Sequence, residues 1–375
     1  MATSAIGPGF LTQTSLFTAS LGTSFGFVIL ISLILDIGVQ LNIWRMVTMR
    51  GERAQDIANK VVPGMGYVLA LLVAGGGLVF NIGNIAGSGL GLQVLTGMDV
   101  KLCAVISCVI ALGIFWYREA GLLMDGFAKL LGLIMILLTL YIAISSNPPV
   151  ASALYHTVWP EHTDMLKIIT LVGGTVGGYI SFAGAHRLLD AGVKGPAQLK
   201  QVNKSAISGI LITSVMRFTL FFAALGIVSQ GITLAAGNPA STVFQSAAGK
   251  LGYIFFGIVL WSAAITSVVG ASYTSVSFWK TLVPAVAQYE KWVISIFIII
   301  STLIFCLAGN PVKLLVMAGA VNGIILPLAL AIMLIASYRR DSNTQYRHPV
   351  WLQVAGWIVV VALSWMSVVG LRSLF

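Results

Sequence analysis

The chain has 375 residues, of which 58% are hydrophobic and only 9% charged. Soluble domains carry about 25% charged residues, so this composition excludes a chain solvated by water over most of its surface. The formal net charge of +10 falls in alternate connections between apolar segments, which argues against a nucleic-acid partner.

Apolar stretches of about 20 residues recur along the chain, the length an α-helix needs to cross a bilayer. The short alternating segments of a β-barrel do not occur. Eleven spans are expected, at 1–22 (interrupted), 24–44, 65–95, 100–117, 120–145, 166–190, 205–229, 250–279, 290–309, 312–337 and 349–371. The fold class is therefore an all-α integral membrane protein, a single polytopic domain over 1–375.

Arg45, Arg50, Arg53 and Lys60 follow span 2, and Arg118 lies between spans 4 and 5. Arg187, Lys194, Lys200 and Lys204 follow span 6, Lys280 and Lys291 lie between spans 8 and 9, and Arg339, Arg340 and Arg347 follow span 10. The opposite connections hold Lys101, Lys167, Lys250, Lys313 and Arg372. Basic loops stay in the cytoplasm, which puts the N-terminus inside and, with an odd span count, the C-terminus outside. Short connections and compact size point to an inner (plasma) membrane. Met1 leads directly into ATSAIGPGF without a basic n-region, so no cleavable signal peptide is expected. Only six residues precede the Gly-Pro-Gly sequence, so the start is expected to be a trimmed or reannotated N-terminus.

The longest polar connections, Arg45–Lys60, Ser145–Asp164, Asp190–Lys204 and Ser229–Ser246, are too short to fold alone. The working parts must lie among the helices. Cys103, Cys108 and Cys306 sit in apolar segments and read as buried small hydrophobes. His156, His162, His186 and His348 lie near span ends without ligand spacing. No nucleophile–base pair, metal cluster or phosphate loop appears, so neither an enzyme nor a cofactor is expected.

Two spans interrupt their own helical pattern. The first break is GPGFLTQT, Gly7 to Thr14, and the second is GGTVGG, Gly173 to Gly178. They lie five spans apart, at matching positions of two halves, about 1–145 and 166–337, with an extra helix at about 349–371. Such paired interruptions mark inverted-repeat transporters with a site at the bilayer midplane. Glycines also serve close helix packing, the reading that suits GGGLVFNIGNIAGSGLGL, Gly75 to Leu92, in span 3.

The order of segments resembles the NRAMP family of proton-coupled divalent-metal transporters. The likeness rests on the Gly-Pro-Gly break, SFGFVILI opening span 2, IAGSGLGL in span 3, WYREAGLLMDGFAKLLGLIMIL entering span 5 and ILPLALAIML in span 10. The resemblance implies a five-plus-five inverted repeat, a leucine-transporter-like fold with broken helices 1 and 6. The family's metal motif in helix 1, Asp-Pro-Gly-Asn, aligns with Gly7, Pro8, Gly9 and Phe10; a second register puts Thr18 at the Asp. Its Met-Pro-His in helix 6 aligns with Gly177, Gly178 and Tyr179. Its proton-handling acids in helix 3 align with Asn81 and Asn84. Every carboxylate and the soft thioether are replaced.

A dication that sheds water needs carboxylate, imidazole or thioether ligands, and an uncompensated double charge at mid-bilayer is very costly. Here the sequence offers glycine backbone, Thr12, Gln13, Thr14, the Tyr179 hydroxyl and Asn81. Helix breaks present unpaired N–H groups with a partial positive charge, so the expected cradle suits a small anion, bicarbonate or a small carboxylate. The alternative is a divalent cation, manganese or magnesium, in an altered site. It requires a carboxylate at the midplane, for which Asp36 is the test case; Glu119 and Asp125 lie near the start of span 5. A receptor that binds without flux is a third reading. Lys129 and Arg217 are intramembrane cations, functional candidates by default, whereas His186 and Arg187 read as structural groups at the end of span 6.

Overall fold

The computed structural model describes residues 7–339 and 346–372; the side chains of residues 118–125 and 127–129, including Arg118, Glu119, Asp125 and Lys129, are outside that description. Every regular element among the described residues is helical.

Helix α1 (Pro8–Leu21) starts behind an extended Gly7 (φ −99°, ψ −175°), with proline at the first position, where an N–H would have no helical partner anyway. A 3₁₀ turn over Gly22–Ser24, with Gly22 at φ 55°, separates it from α2 (Phe25–Arg50). The short α3 (Ala54–Val61) leads to α4 (Met65–Thr96) and α5 (Val100–Trp116). The Asp99 carboxylate caps α5 by accepting the Lys101 and Leu102 amides at 2.9 and 3.3 Å. Next come α6 (Arg118–Ser145) and α7 (Val150–Val158), bent by 107° on each other. Helices α8 (Met165–Val176) and α9 (Ile180–Asp190) are the two halves of the expected span 6. The chain continues through α10 (Leu199–Ser229), α11 (Pro239–Ser277), α12 (Pro284–Gln288), α13 (Glu290–Ala308), α14 (Pro311–Tyr338) and α15 (Val350–Arg372). Gly249 (φ 60°, ψ −150°) breaks α11 where the sequence starts span 8.

By length and apolarity eight helical stretches among the described residues can cross a membrane, or nine with the bent α6–α7 pair, against the eleven expected. The difference has three sources. Pro8–Arg50 counts as one stretch of 43 residues; at about 1.5 Å per residue that is roughly twice a bilayer core. Helix α5, with 17 residues, falls short, and α6 qualifies only together with α7.

Packing follows the logic of a lipid solvent. Leu133, Leu137, Val215, Leu307 and Ile358 point outward, while Gln13, Thr14, Asn81, Ser272, Ser301 and Asn322 are buried between helices. Buried hydroxyls spend their protons on the preceding turn: Thr14 Oγ1 donates to the Phe10 carbonyl at 2.7 Å and Ser272 Oγ to Val268 at 2.8 Å. Helix α2 packs on α8, α9 and α10, and α14 packs on α8 and α4.

The basic connections gather at one end of the bundle. Arg53 pairs with Asp190 at 2.7 Å, Gln55 Nε2 donates to Thr281 Oγ1 at 2.8 Å, and Arg339 Nη1 donates to the Lys60 carbonyl at 2.9 Å. These bonds join the connections after the expected spans 2, 6, 8 and 10.

Candidate functional site

The second interruption is real. Helix α8 ends at Val176, Gly177 is non-helical (φ −48°, ψ 169°), and α9 begins only at Ile180. The freed amides, however, do not face a solute. The Gly178 amide donates to the Asn322 backbone carbonyl at 3.0 Å, and the Tyr179 amide to Asn322 Oδ1 at 3.1 Å. Asn322 Nδ2 in turn donates to the Gly76 and Ala318 carbonyls, both at 2.9 Å. An asparagine of α14 thus fills the role expected of a substrate, because a buried N–H without a partner is costly.

The glycines serve the same packing. A Cβ on Gly177 would lie 2.6 Å from Asn322 Cβ, and one on Gly178 would lie 2.7 Å from Ile325 Cγ2. Gly173 faces the Gly319 carbonyl, and a Cβ on Gly319 would come within 2.5 Å of the Thr170 carbonyl. Helices α8 and α14 approach along this seam of small residues. In this structure Gly177 and Gly178 thus face α14. Tyr179 is buried beside them, its ring 5.7 Å from Phe80 and its hydroxyl 3.5 Å from the Gly270 carbonyl.

At the first interruption, Gly7 and Pro8 lead into α1, and what precedes Gly7 lies outside the described residues. Pro8 packs against Gly87 of α4. Gly7 and Gly9 are the open positions, where a Cβ would come no closer than 3.9 Å to Ser267 Oγ and 3.7 Å to the Leu315 carbonyl. Phe10, Thr12, Gln13 and Thr14 are all buried. Thr14 gives its hydroxyl proton to Phe10, and Gln13 Nε2 donates to the Leu315 carbonyl at 3.1 Å. These donors, expected to serve a ligand, are already used in holding α1. Thr18, the other register, bonds the Thr14 carbonyl at 2.7 Å.

Asn81 stands elsewhere. Its amide donates to Ser272 and Ser301 at 3.1 and 3.0 Å, forming a buried knot among α4, α11 and α13. Asn84 is buried with Nδ2 unpartnered. His186 accepts the Ala54 amide at 3.2 Å and stacks on Phe278, in line with a structural role.

What joins the two interruptions is a residue that the alignment of motifs passed over. Arg217 of α10 is 2% exposed. Its guanidinium carbon sits 4.4 Å from the centre of the Phe10 ring, and Nη1 donates to Thr175 Oγ1, two residues before the α8 break, at 3.0 Å. Nε and Nη2 have no hydrogen-bond partner, and they form one edge of the planar guanidinium fork. The charged group that bears on Arg217 is Asp36 of α2, itself buried with Oδ1 unpartnered. No direct ion pair forms between them. Among the described residues no three His, Cys, Asp or Glu side chains converge. The sequence flagged Arg217 as an intramembrane charge; only the fold brings it to Phe10 and Thr175.

An all-helical bundle with a broken span is the architecture of the leucine-transporter-like fold. The chain superposes over 99% of its length on the Eremococcus coleocola manganese transporter, with TM-score 0.72, 14% identity and 84% of that chain covered. It also superposes on MhsT in complex with L-phenylalanine (TM-score 0.63, 16% identity, 100% of this chain and 97% of that one). A third likeness is to Mhp1, a nucleobase-cation-symport-1 family transporter with bromovinylhydantoin bound (TM-score 0.65, 14% identity, 99% and 90%).

Residues 1–373 match the family described as natural resistance-associated macrophage protein-like, and the chain belongs to this Nramp family. A Bacillus subtilis chain described as "Uncharacterized membrane protein YcsG" is 55% identical over 368 residues, 98% of this chain and 91% of that one. A Haemophilus influenzae membrane protein is likewise 55% identical over 368 residues, covering 92% of its own length.

Proposed function

We propose that this Nramp-family transporter carries a small anion, bicarbonate or a small carboxylate, by alternating access, with Arg217 as its anchor. The observation that carries the reading is the buried guanidinium between Phe10 and Thr175, with Nε and Nη2 unpartnered. Such an edge matches the two oxygens of a carboxylate, and charge-assisted bonds of this kind are the strong ones. The anchor differs from the peptide dipoles expected at Gly177 and Gly178, whose amides Asn322 takes.

The fold itself is neutral on substrate, since its relatives include a manganese transporter and one holding L-phenylalanine. Side chains have to decide. The divalent-cation alternative requires an available carboxylate, and Asp36 has Arg217 as its charged neighbour. A dication would face a guanidinium where ligands are needed, which the low dielectric makes strongly unfavourable. The gathered basic connections would lie on the cytoplasmic side of a plasma membrane.

The test is uptake into proteoliposomes of manganese and magnesium in one arm and of bicarbonate, pyruvate, lactate and glycolate in the other. Saturable entry of an anion, lost in Arg217→Gln, is the expected result. Saturable metal entry with no anion entry would overturn the reading.

A further inference from the structure

We infer that Asp36 is the coupling group: a proton on Asp36 travels with the anion on Arg217, one for one, so that the loaded carrier is electrically neutral at mid-membrane. The inference rests on the anion reading above and adds its energy source.

The reasoning is charge balance. Asp36 lies at the middle of α2 (Phe25–Arg50) and is 1% exposed, with Oδ1 unpartnered. Arg217 lies across the α2–α10 contact, equally buried, with two nitrogens unpartnered. The two charges compensate each other without touching, so the empty site is neutral. An anion docked on Arg217 would leave one negative charge in excess, in a medium where uncompensated buried charge is not tolerated. A proton added to the Asp36 carboxylate removes that excess. It also leaves the guanidinium with the solute as its one anionic partner.

Among the described residues no other group is placed to do this. Arg217 is the charged side chain that bears on Asp36. The other titratable groups on helices packed against α2 stand toward the ends of those helices. They are Tyr155 and His156 on α7, Lys167 on α8, His186, Arg187 and Asp190 on α9, Lys200 and Lys204 on α10, Lys313 and Tyr338 on α14, and Arg372 on α15. Empty and loaded carriers are then both neutral in the membrane, and the proton gradient drives accumulation while the membrane potential does not.

The full chain in liposomes containing a luminal pH dye, with the potential clamped by potassium and valinomycin, tests this. Pyruvate, lactate and glycolate are offered in turn, and labelled uptake is recorded beside luminal pH. Each anion that enters should acidify the lumen by one proton, at a rate indifferent to the clamped potential. Asp36→Asn, which mimics the protonated carboxyl, should keep anion–anion counterflow, lose the acidification and make net uptake follow the potential. Entry into wild-type liposomes without acidification overturns the coupling and leaves the anion reading intact. Acidification that survives in Asp36→Asn moves the proton to another group and overturns the assignment. Entry of manganese with no entry of any anion overturns both. Should Asp36→Asn fail to fold, infrared difference spectra of the wild-type protein decide: pyruvate should raise a protonated-carboxyl band, and an unchanged carboxylate region rejects the idea.

Discussion

Asn322 and Tyr179 are joined across 143 positions of sequence by one bond, the Tyr179 amide donating to Asn322 Oδ1 at 3.1 Å. With the Asn322 backbone carbonyl on the Gly178 amide and Nδ2 on the Gly76 carbonyl, one residue ties the start of α9 to α14 and α4. Asn322→Leu keeps the volume but strands the Tyr179 amide, while the Gly76 carbonyl, inside α4, loses only its second donor. A buried orphan costs about 1–3 kcal/mol, so thermal unfolding in detergent should begin a few degrees lower. An unchanged midpoint would show that these bonds do not hold the break.

The α8–α14 seam makes a contrasting pair. Gly319→Val drives a branched side chain toward the Thr170 carbonyl, already within 2.5 Å of a bare Cβ, and overpacking of this kind costs about 1–3 kcal/mol or more. Gly75→Ala, with nothing within 4 Å of its Cβ, should be neutral or stabilising by up to about 1 kcal/mol. Size-exclusion profiles and melting midpoints of the two variants should diverge. Equal loss at both positions would mean that helix propensity, not close approach, dominates.

How much of this was legible beforehand follows from the range of each signal. The helical spans and the break at Gly177 were readable because hydrocarbon demands long apolar runs and four glycines in six residues violate them locally. Whether those glycines face a solute or a helix is a tertiary fact, and the fold turned Gly177 and Gly178 toward α14. Asn322 carries no periodic signal inside an apolar helix, and its partners are remote in sequence. Arg217 was visible as a charge within a span, but its meaning depends on the company of Phe10, Thr175 and Asp36, which come from three other helices.

His348 supplies a pH handle outside the spanning helices. Nε2 pairs with Asn42 Oδ1 at 2.8 Å and Nδ1 with the Tyr346 hydroxyl at 3.1 Å, the neutral ring donating from Nε2. Burial, followed by the nearby Arg45 and Arg50, lowers its pKa from 6.5 to about 4. A proton therefore binds the unfolded chain more readily. Stability should be level above pH 6.5, fall as pH drops toward 4, and level off again below. His348→Gln should flatten that part of the profile, measured as melting midpoint against pH. A slope that persists unchanged would assign it to another group.

Arg217 offers the sharpest separation of binding from structure. Arg217→Lys keeps the charge but loses the planar fork and its stacking on Phe10, so uptake should survive with affinity weakened by about tenfold or more, equivalent to roughly 1.4 kcal/mol or more. Arg217→Gln should abolish uptake. Loss of folding would produce the same silence, and Asp36 discriminates between the two causes. In Arg217→Gln the Asp36 carboxylate is left without its charged neighbour, and an uncompensated buried charge is strongly destabilising. Adding Asp36→Asn removes that charge, so the double variant should melt above Arg217→Gln alone, a non-additivity expected only of residues that interact. A recovered midpoint without recovered uptake would mean that the guanidinium is needed for the anion itself. Wild-type uptake by Arg217→Gln would place the anchor elsewhere.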